Sequence, residues 1–468
     1  MNPKRFISRD IRYAVKTLAN GALRAYIKNS QALSDADFTA GSRINVVYKR
    51  NRIEVRLDPN GKNTIMNTGR GALLELKNKD TAKALGAAEF INVTFRRGVV
   101  VITVHGLTEK QQRREASTLK KIVNGEPLRK ACFFSGLGML SLSISQGLEK
   151  QGIRTQIAFA NDNNELAMSC NLQGNPMWDN ATDDAHVVID DLHALNIDGL
   201  PEVDMVTIGY PCVGFSKLAA IENKDLLHPQ CGALLIPLVA ALRQMNPTFF
   251  IIENTPCFAT SQTLALIQKA LPDYNFEQTV LDGHDFNELE SRKRACVVAT
   301  SKGLPRFDVT KINSIYADME PPKVGDYLED IPLDSPVWRE MAHVKARDTM
   351  DNVNFKNHVY YGDENKMVTL PASYSSPKAG TPMIGHPVDM KLQRQVQVDE
   401  HSNLRCLPLK LKDVILEVWL GINSLVSAKG SASAAHRLLG NGVSKKVWNS
   451  VGDSFGRYLN YIAPTASY

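Results

Sequence analysis

From Lys130 onward the chain alternates short apolar runs with helix-length amphipathic segments, an order that few folds accept. The runs occupy residues 131–134, 155–160, 203–209, 248–252 and 296–300, and segments 139–151 and 232–245 show helical spacing of apolar residues. Strands that alternate with helices pair in parallel and are covered on both faces. The expected class is therefore α/β with a doubly wound, mostly parallel sheet. In such sheets ligands sit beyond the carboxyl ends of the strands, so the chemistry is expected at the residues following each run.

The pattern has limits on both sides. After residue 302 the sequence turns irregular and rich in Pro, Gly and Asp, and helical periodicity returns at 409–420 and 444–462. Before it, segments 43–48, 52–57, 91–96 and 99–104 alternate or run in β-branched residues around short turns, which predicts a compact sheet or barrel. The polar stretch 107–124 is expected to be a connecting helix or linker. Four parts follow: a basic β-rich module over 1–125, the doubly wound domain over 126–303, a small inserted domain over 304–403, and 404–468 completing the doubly wound part.

Charge separates the first part from the others. Residues 1–130 hold 26 Lys and Arg against 11 Asp and Glu, although the whole chain of 468 residues has a net charge of only +6. That asymmetry predicts attraction to a polyanion, with nucleic acid favoured over membrane because no amphipathic or lipidation signal accompanies it. No run approaches the ~18–20 apolar residues of a transmembrane helix, and the charged N-terminus has no apolar run after it as a secretory signal would. Seven cysteines without a C-x-x-C pair argue against a disulfide framework or zinc site and for a reducing, cytoplasmic compartment.

The strand ends carry reactive groups. The first run leads into Phe134-Ser135-Gly136-Leu137-Gly138, where the glycines permit a tight turn before a helix start suited to an anionic or carboxylate-bearing cofactor. A dinucleotide fingerprint is incomplete, because Ser141 stands at its third glycine. Asp162 follows the second run and suits either ribose hydroxyls or a helix N-cap; Asp190 and Asp191 follow the HVVI run, as an adenine-edge acceptor or a plain turn. The run ending at Gly209 continues into Tyr210-Pro211-Cys212-Val213-Gly214-Phe215-Ser216, which holds a thiol on a constrained loop. Glu253 directly follows another run, where desolvation raises a carboxyl pKa. Arg292 and Arg294, at alternate positions before the next run, are expected to point to one face.

In this order the motifs resemble those of the DNA (cytosine-5) methyltransferases. The matching elements are Phe134–Gly138, Pro211-Cys212, Glu253-Asn254-Thr255, Glu290-Ser291-Arg292-Lys293-Arg294 and Gly440-Asn441-Gly442-Val443, within residues 128–305 and 405–468. The resemblance implies an S-adenosylmethionine-dependent methyltransferase fold and transfer of a methyl group to C5 of a flipped cytosine in a specific duplex DNA sequence. It assigns the nucleophile to Cys212, the base-binding carboxyl to Glu253, and Arg292 and Arg294 to the base and the thiol loop. The cofactor is expected against Phe134, Ser135, Gly136, Leu137, Gly138, Asp162, Asp191, Pro211, Asn441 and Val443.

The resemblance places a target-recognition domain at 304–403, with Tyr360, Tyr361 and Tyr374 as its aromatics. It further implies a nucleoid-associated cytoplasmic monomer, acting on double-stranded DNA with a restriction endonuclease as a functional rather than physical partner. The first 125 residues are expected to bind duplex or to regulate. The chain departs from the family at Met139, Val213 and Glu290, where Gly, Gln and Gln are usual. The motif preceding the last is matched only by Leu404-Arg405-Cys406-Leu407-Pro408. The alternatives are an RNA cytosine C5 methyltransferase and a catalytically weak DNA-binding regulator on the same scaffold.

Overall fold

A computed structural model describes residues 8–18, 23–86, 88–215, 221–345, 357–422 and 431–465. The chain forms two compact units, Met1–Arg113 and Arg114–Tyr468.

The larger unit is built on a seven-stranded sheet. Its strands are β1 (Leu128–Phe133), β2 (Thr155–Asp162), β3 (Ala181–Ile189), β4 (Met205–Gly209), β5 (Phe249–Asn254), β6 (Tyr274–Asp282) and β7 (Lys293–Ser301). They lie in the order β3-β2-β1-β4-β5-β7-β6. The first five are parallel, and β7 runs antiparallel to both β5 and β6. Two apolar clusters cover the sheet. One includes residues of α1 (Met139–Lys150), α2 (Leu409–Leu420) and α3 (Lys445–Ile462); the other includes Leu238, Leu242, Leu264 and Ile267. The expected doubly wound α/β class is what the chain adopts.

Strand β6 has no counterpart among the apolar runs. Its sequence, YNFEQTVLD, mixes polar and apolar residues because it is an edge strand, paired along its length with β7 and only partly buried. Helices α1 and α3 approach at glycines. A Cβ on Gly147 would lie 2.1 Å from Asn449 O and one on Gly452 2.3 Å from Ile144 O, so backbone meets backbone there.

Residues 304–403 contain a small four-stranded sheet, ordered Arg339–Glu340, Leu392–Arg394, Met383–Gly385, Val359–Tyr360. Residues 346–356 of this region lie outside the described residues. Two of its three singled-out tyrosines do not face outward as a recognition surface requires. Tyr374 (0% exposed) and Tyr360 (7%) belong to the local core with Leu289, Met367 and Val396, and only Tyr361 is exposed. The hydroxyls explain how a tyrosine is kept inside. Tyr374 donates to Pro382 O at 2.9 Å and accepts from Val396 N at 2.8 Å; Tyr360 accepts from Val368 N at 3.0 Å.

The smaller unit holds a six-stranded sheet and a four-stranded one. Both expected hairpins form, Arg43–Lys49 with Arg52–Leu57 and Phe90–Arg96 with Val99–Val104. The polar stretch is a single helix, Gly106–Val123, and the boundary expected near residue 125 falls inside it, after Arg113. The reason is in its second half. Arg114 donates to Ser301 Oγ, Asn246 Oδ1, Tyr274 Oη and Asp273 O, while Thr118 and Lys121 both bond Asp204. Among the described residues no helix is long and apolar enough to cross a membrane.

Candidate active site

The carboxyl ends of β1, β2, β4 and β5 bring together most of the groups expected there. After β1 the backbone turns sharply: Phe134 and Gly136 have φ of 53° and 52°, and Gly138 has φ 75°. A Cβ on Gly138 would lie 2.5 Å from Asn175 Nδ2 and 2.7 Å from Asn171 Oδ1, so only glycine fits. These asparagines brace the turn from outside. Asn171 donates to Gly136 O at 3.0 Å and Asn175 to Leu137 O at 2.7 Å. Gly138 begins α1 with no side-chain cap, which leaves the helix N-terminus open to a carboxylate ligand. Met139, where the family has glycine, is simply buried in the core.

Asp162 is part of this turn. Its Oδ2 accepts from Gly136 N at 2.7 Å and its Oδ1 from Asn164 N at 2.8 Å, and burial raises its pKa against those bonds. Its carboxylate therefore shapes the glycine turn from the end of β2. Asp191 follows β3, exposed, with Oδ1 accepting from His193 N at 2.8 Å as the cap of a short 3-10 turn. Its carboxylate is engaged locally. Ser135 accepts from Asn171 Nδ2 at 3.1 Å, and Leu137 is buried.

The thiol loop is clamped from β5. Asn254 Nδ2 donates to Tyr210 O at 3.2 Å and Thr255 Oγ1 to Phe215 O at 3.1 Å, so the two residues after Glu253 grip the loop on both sides of Cys212. The rings of Tyr210, Phe215 and Phe258 pack with centroids 5.0–5.9 Å apart beneath it. Cys212 itself is exposed, as is Val213, whereas Pro211 is half-buried. Ser216 lies outside the described residues. The surrounding protein pushes the Cys212 thiol pKa up; nearby Glu253 pushes the same way, and Arg294 and Arg292 oppose them.

Glu253 is held by Arg294, whose Nε lies 3.0 Å from Oε1. Burial nevertheless raises the Glu253 pKa, with Arg294 and Arg292 pulling it down. The two arginines do different things. Arg294 reaches the carboxyl, while Arg292 is buried and donates from Nη2 to Gly440 O at 2.9 Å, at the end of the helix Ala432–Gly440. Burial next to Arg294 and Arg405 lowers the Arg292 pKa to about 9. Its Nε is buried without a partner among the described groups. Beyond Gly440, Asn441 is exposed and Val443 buried.

Sequence reasoning did not assign roles to Asn171, Asn175, Asn254, Thr255 or Arg405. Asn254 and Thr255 were visible as neighbours of Glu253, but their grip on the loop spans 40 or more positions.

Comparison with known proteins agrees with this geometry. A family profile described as C-5 cytosine-specific DNA methylase matches residues 130–456. The chain is 22% identical over 285 residues to the Type II methyltransferase M1.BsuMI of Bacillus subtilis (strain 168), covering 58% of this chain and 64% of that protein. It is 26% identical over 238 residues to the Type II methyltransferase M.MthTI of Methanothermobacter thermautotrophicus, covering 49% and 63%. The matches thus span less than two thirds of these relatives' length. Among solved structures, the S. pombe Dnmt2 methyltransferase aligns with a TM-score of 0.52 and 17% identity over 71% of this chain and 99% of that one, a likeness of fold.

Proposed function

Because the chain belongs to the C-5 cytosine-specific DNA methylase family, we propose that it methylates cytosine C5 in a specific duplex DNA sequence, with Cys212 as covalent nucleophile. The observation that carries the reading is the convergence of an exposed thiol, a largely desolvated carboxyl and a guanidinium at adjacent strand ends.

The glycine turn fits the family's cofactor. Its helix N-terminus is uncapped and Asp162 stands at its edge, so Phe134 to Gly138 and Asp162 would hold S-adenosylmethionine, with Asp191, Pro211, Asn441 and Val443 joining them by the family resemblance alone. When bound, that cofactor supplies an electrophilic methyl group.

Cytosine C5 is a weak nucleophile. Attack of the Cys212 thiolate on C6 forms an S–C6 bond and moves the ring electrons to C5, which then takes the methyl group. Loss of the C5 proton and cleavage of the S–C6 bond restore the ring and the thiolate. Glu253, kept above the usual carboxyl range by burial, is suited to share a proton with N3 and accept from the exocyclic amine as charge develops. Arg294 orients Glu253 and lies close enough to favour the thiolate; Arg292 holds the 440–443 loop. The target atoms are stacked inside a duplex, so the base must be flipped out.

The test is base-resolution mapping of 5-methylcytosine in DNA from a host without cytosine methylation, expressing wild type or Cys212→Ser. Methylation at one short motif, lost in the variant, is expected. Methylated RNA with unmethylated DNA would replace the substrate, and folded protein that methylates neither would leave the regulator reading.

A further inference from the structure

The smaller unit carries a cationic surface that the methyl-transfer chemistry does not use. In its six-stranded sheet, side chains alternate between the two faces. The inner face is core: Ile53, Val55, Val93, Phe95, Val100 and Ile102 are at most 3% exposed. The outer face bears exposed Arg12, Arg43, Lys49, Arg52, Arg56 and Arg96 against two carboxylates, Asp10 and Glu54.

The strand register sets these cations in rows. Arg12, Asn92, Thr103, Arg52 and Lys49 lie opposite one another across five strands. Arg96, Val99, Arg56 and Asn45 form a second row four residues along, about 13 Å away at ~3.3 Å per residue. Glu54, between the rows, pairs with both Arg52 and Arg56. Arg12 is braced over the Phe90 ring at 3.7 Å.

We propose that this face binds the phosphate backbone of double-stranded DNA, as a sequence-independent hold on the substrate. Five of its six cations are arginines, whose planar forks match phosphate oxygens in pairs; a face that only kept the protein soluble would have no use for that geometry. Asn and Thr between the cations add the neutral donors that backbone contacts use. Unpaired bases would need open aromatic rings to stack on, and the ring on this face, Phe90, is covered by Arg12. The choice of DNA over duplex RNA rests on the proposed function; the charge and register do not.

The experiment uses the full chain and a short duplex of A·T pairs only, which offers no cytosine, so binding is read apart from methyl transfer. The variant Arg52→Gln/Arg56→Gln/Arg96→Gln is compared with Lys28→Gln/Lys79→Gln/Lys83→Gln, an equal charge change at exposed positions outside the rows. The salt-dependence slope of log K is expected to fall by about 2–3 in the first variant, roughly 0.9 for each phosphate no longer neutralised, with at least a tenfold loss of affinity at moderate salt. The second should stay near wild type. Substituting Lys at the same three arginines keeps the charge and should recover most of the slope, which separates lost charge from a damaged fold. Equal losses in both Gln variants, no loss in the first, or a loss seen only with duplex RNA or anionic vesicles would each overturn the proposal.

Discussion

Arg405 and Glu290 form a buried ion pair, 2% and 3% exposed, between positions 115 residues apart. Arg405 bonds both carboxylate oxygens of Glu290 and donates to Leu370 O at 3.1 Å and to Leu439 O at 2.9 Å. Glu290 also accepts from Leu370 N at 2.5 Å. One pair thus joins the approach to β7, the segment near residue 370 and the last turn of the helix Ala432–Gly440. The family's usual glutamine at position 290 is here a carboxylate, and Arg405 is the cation that makes a buried carboxylate tenable.

Removing one partner should therefore be costly. Arg405→Leu strands a buried charge and is expected to lose about 3–5 kcal/mol in urea unfolding. Glu290→Gln keeps the shape but not the charge and should lose about 1–3 kcal/mol. A loss below about 0.5 kcal/mol in either would show that the pair does not tie these segments together.

Activity should climb with pH. Desolvation by the surrounding loop and the nearby Glu253 carboxylate hold the Cys212 thiol above its ordinary pKa, although its surface is open, so the thiolate is scarce at neutrality and kcat/KM rises as pH approaches the thiol pKa. Arg294→Ala removes a cation that favours the thiolate and should move that rise to higher pH. Alkylation of Cys212 by iodoacetamide, with Cys212→Ser as the blank, reports the same shift without turnover. A profile that is flat from pH 6 to 9 in both assays contradicts it.

Gly138→Ala should disable the cofactor turn. The new methyl meets Asn171 and Asn175 inside 3 Å, and φ 75° strains any L-residue. Equilibrium binding of S-adenosylmethionine should weaken at least tenfold, and stability should fall by about 1–3 kcal/mol. Gly152→Ala, at φ 76° with open space around its Cβ, controls for backbone strain alone and should leave cofactor binding unchanged.

Lys130 is buried with no acidic partner among the described residues. Its Nζ bonds Ser141 O at 2.9 Å and the Ser145 hydroxyl, and burial lowers its pKa to about 8. A depressed lysine pKa contributes stability above the unfolded value near 10.4, and that stability is lost as pH falls through about 8. Lys130→Met should thus stabilise the protein at pH 7 by roughly 2–3 kcal/mol and flatten its stability between pH 8 and 10. Equal stability of the two proteins at pH 7 would sink the idea.

Much of the site was legible because its parts are local. An apolar run marks a strand, the next residues mark its end, and in a parallel sheet all such ends meet at one edge. The Gly136–Gly138 turn, Cys212 and Glu253 needed only that rule, and the hairpin over 43–57 needed only β-branched runs around a short turn.

What tertiary structure alone decided is what depends on distant partners. Strand β6 hides its identity because an edge strand buries too little to write an apolar run. Tyr360 and Tyr374 went inside because backbone groups at 368, 382 and 396 satisfy their hydroxyls. The helix Gly106–Val123 divides at Arg113 because Arg114 and Lys121 find partners near residues 204, 246, 273 and 301. Periodicity and turn chemistry act over a few residues and are written in the sequence; a buried charge or hydroxyl is stable only where the fold delivers its partner, and that partner can be a hundred residues away.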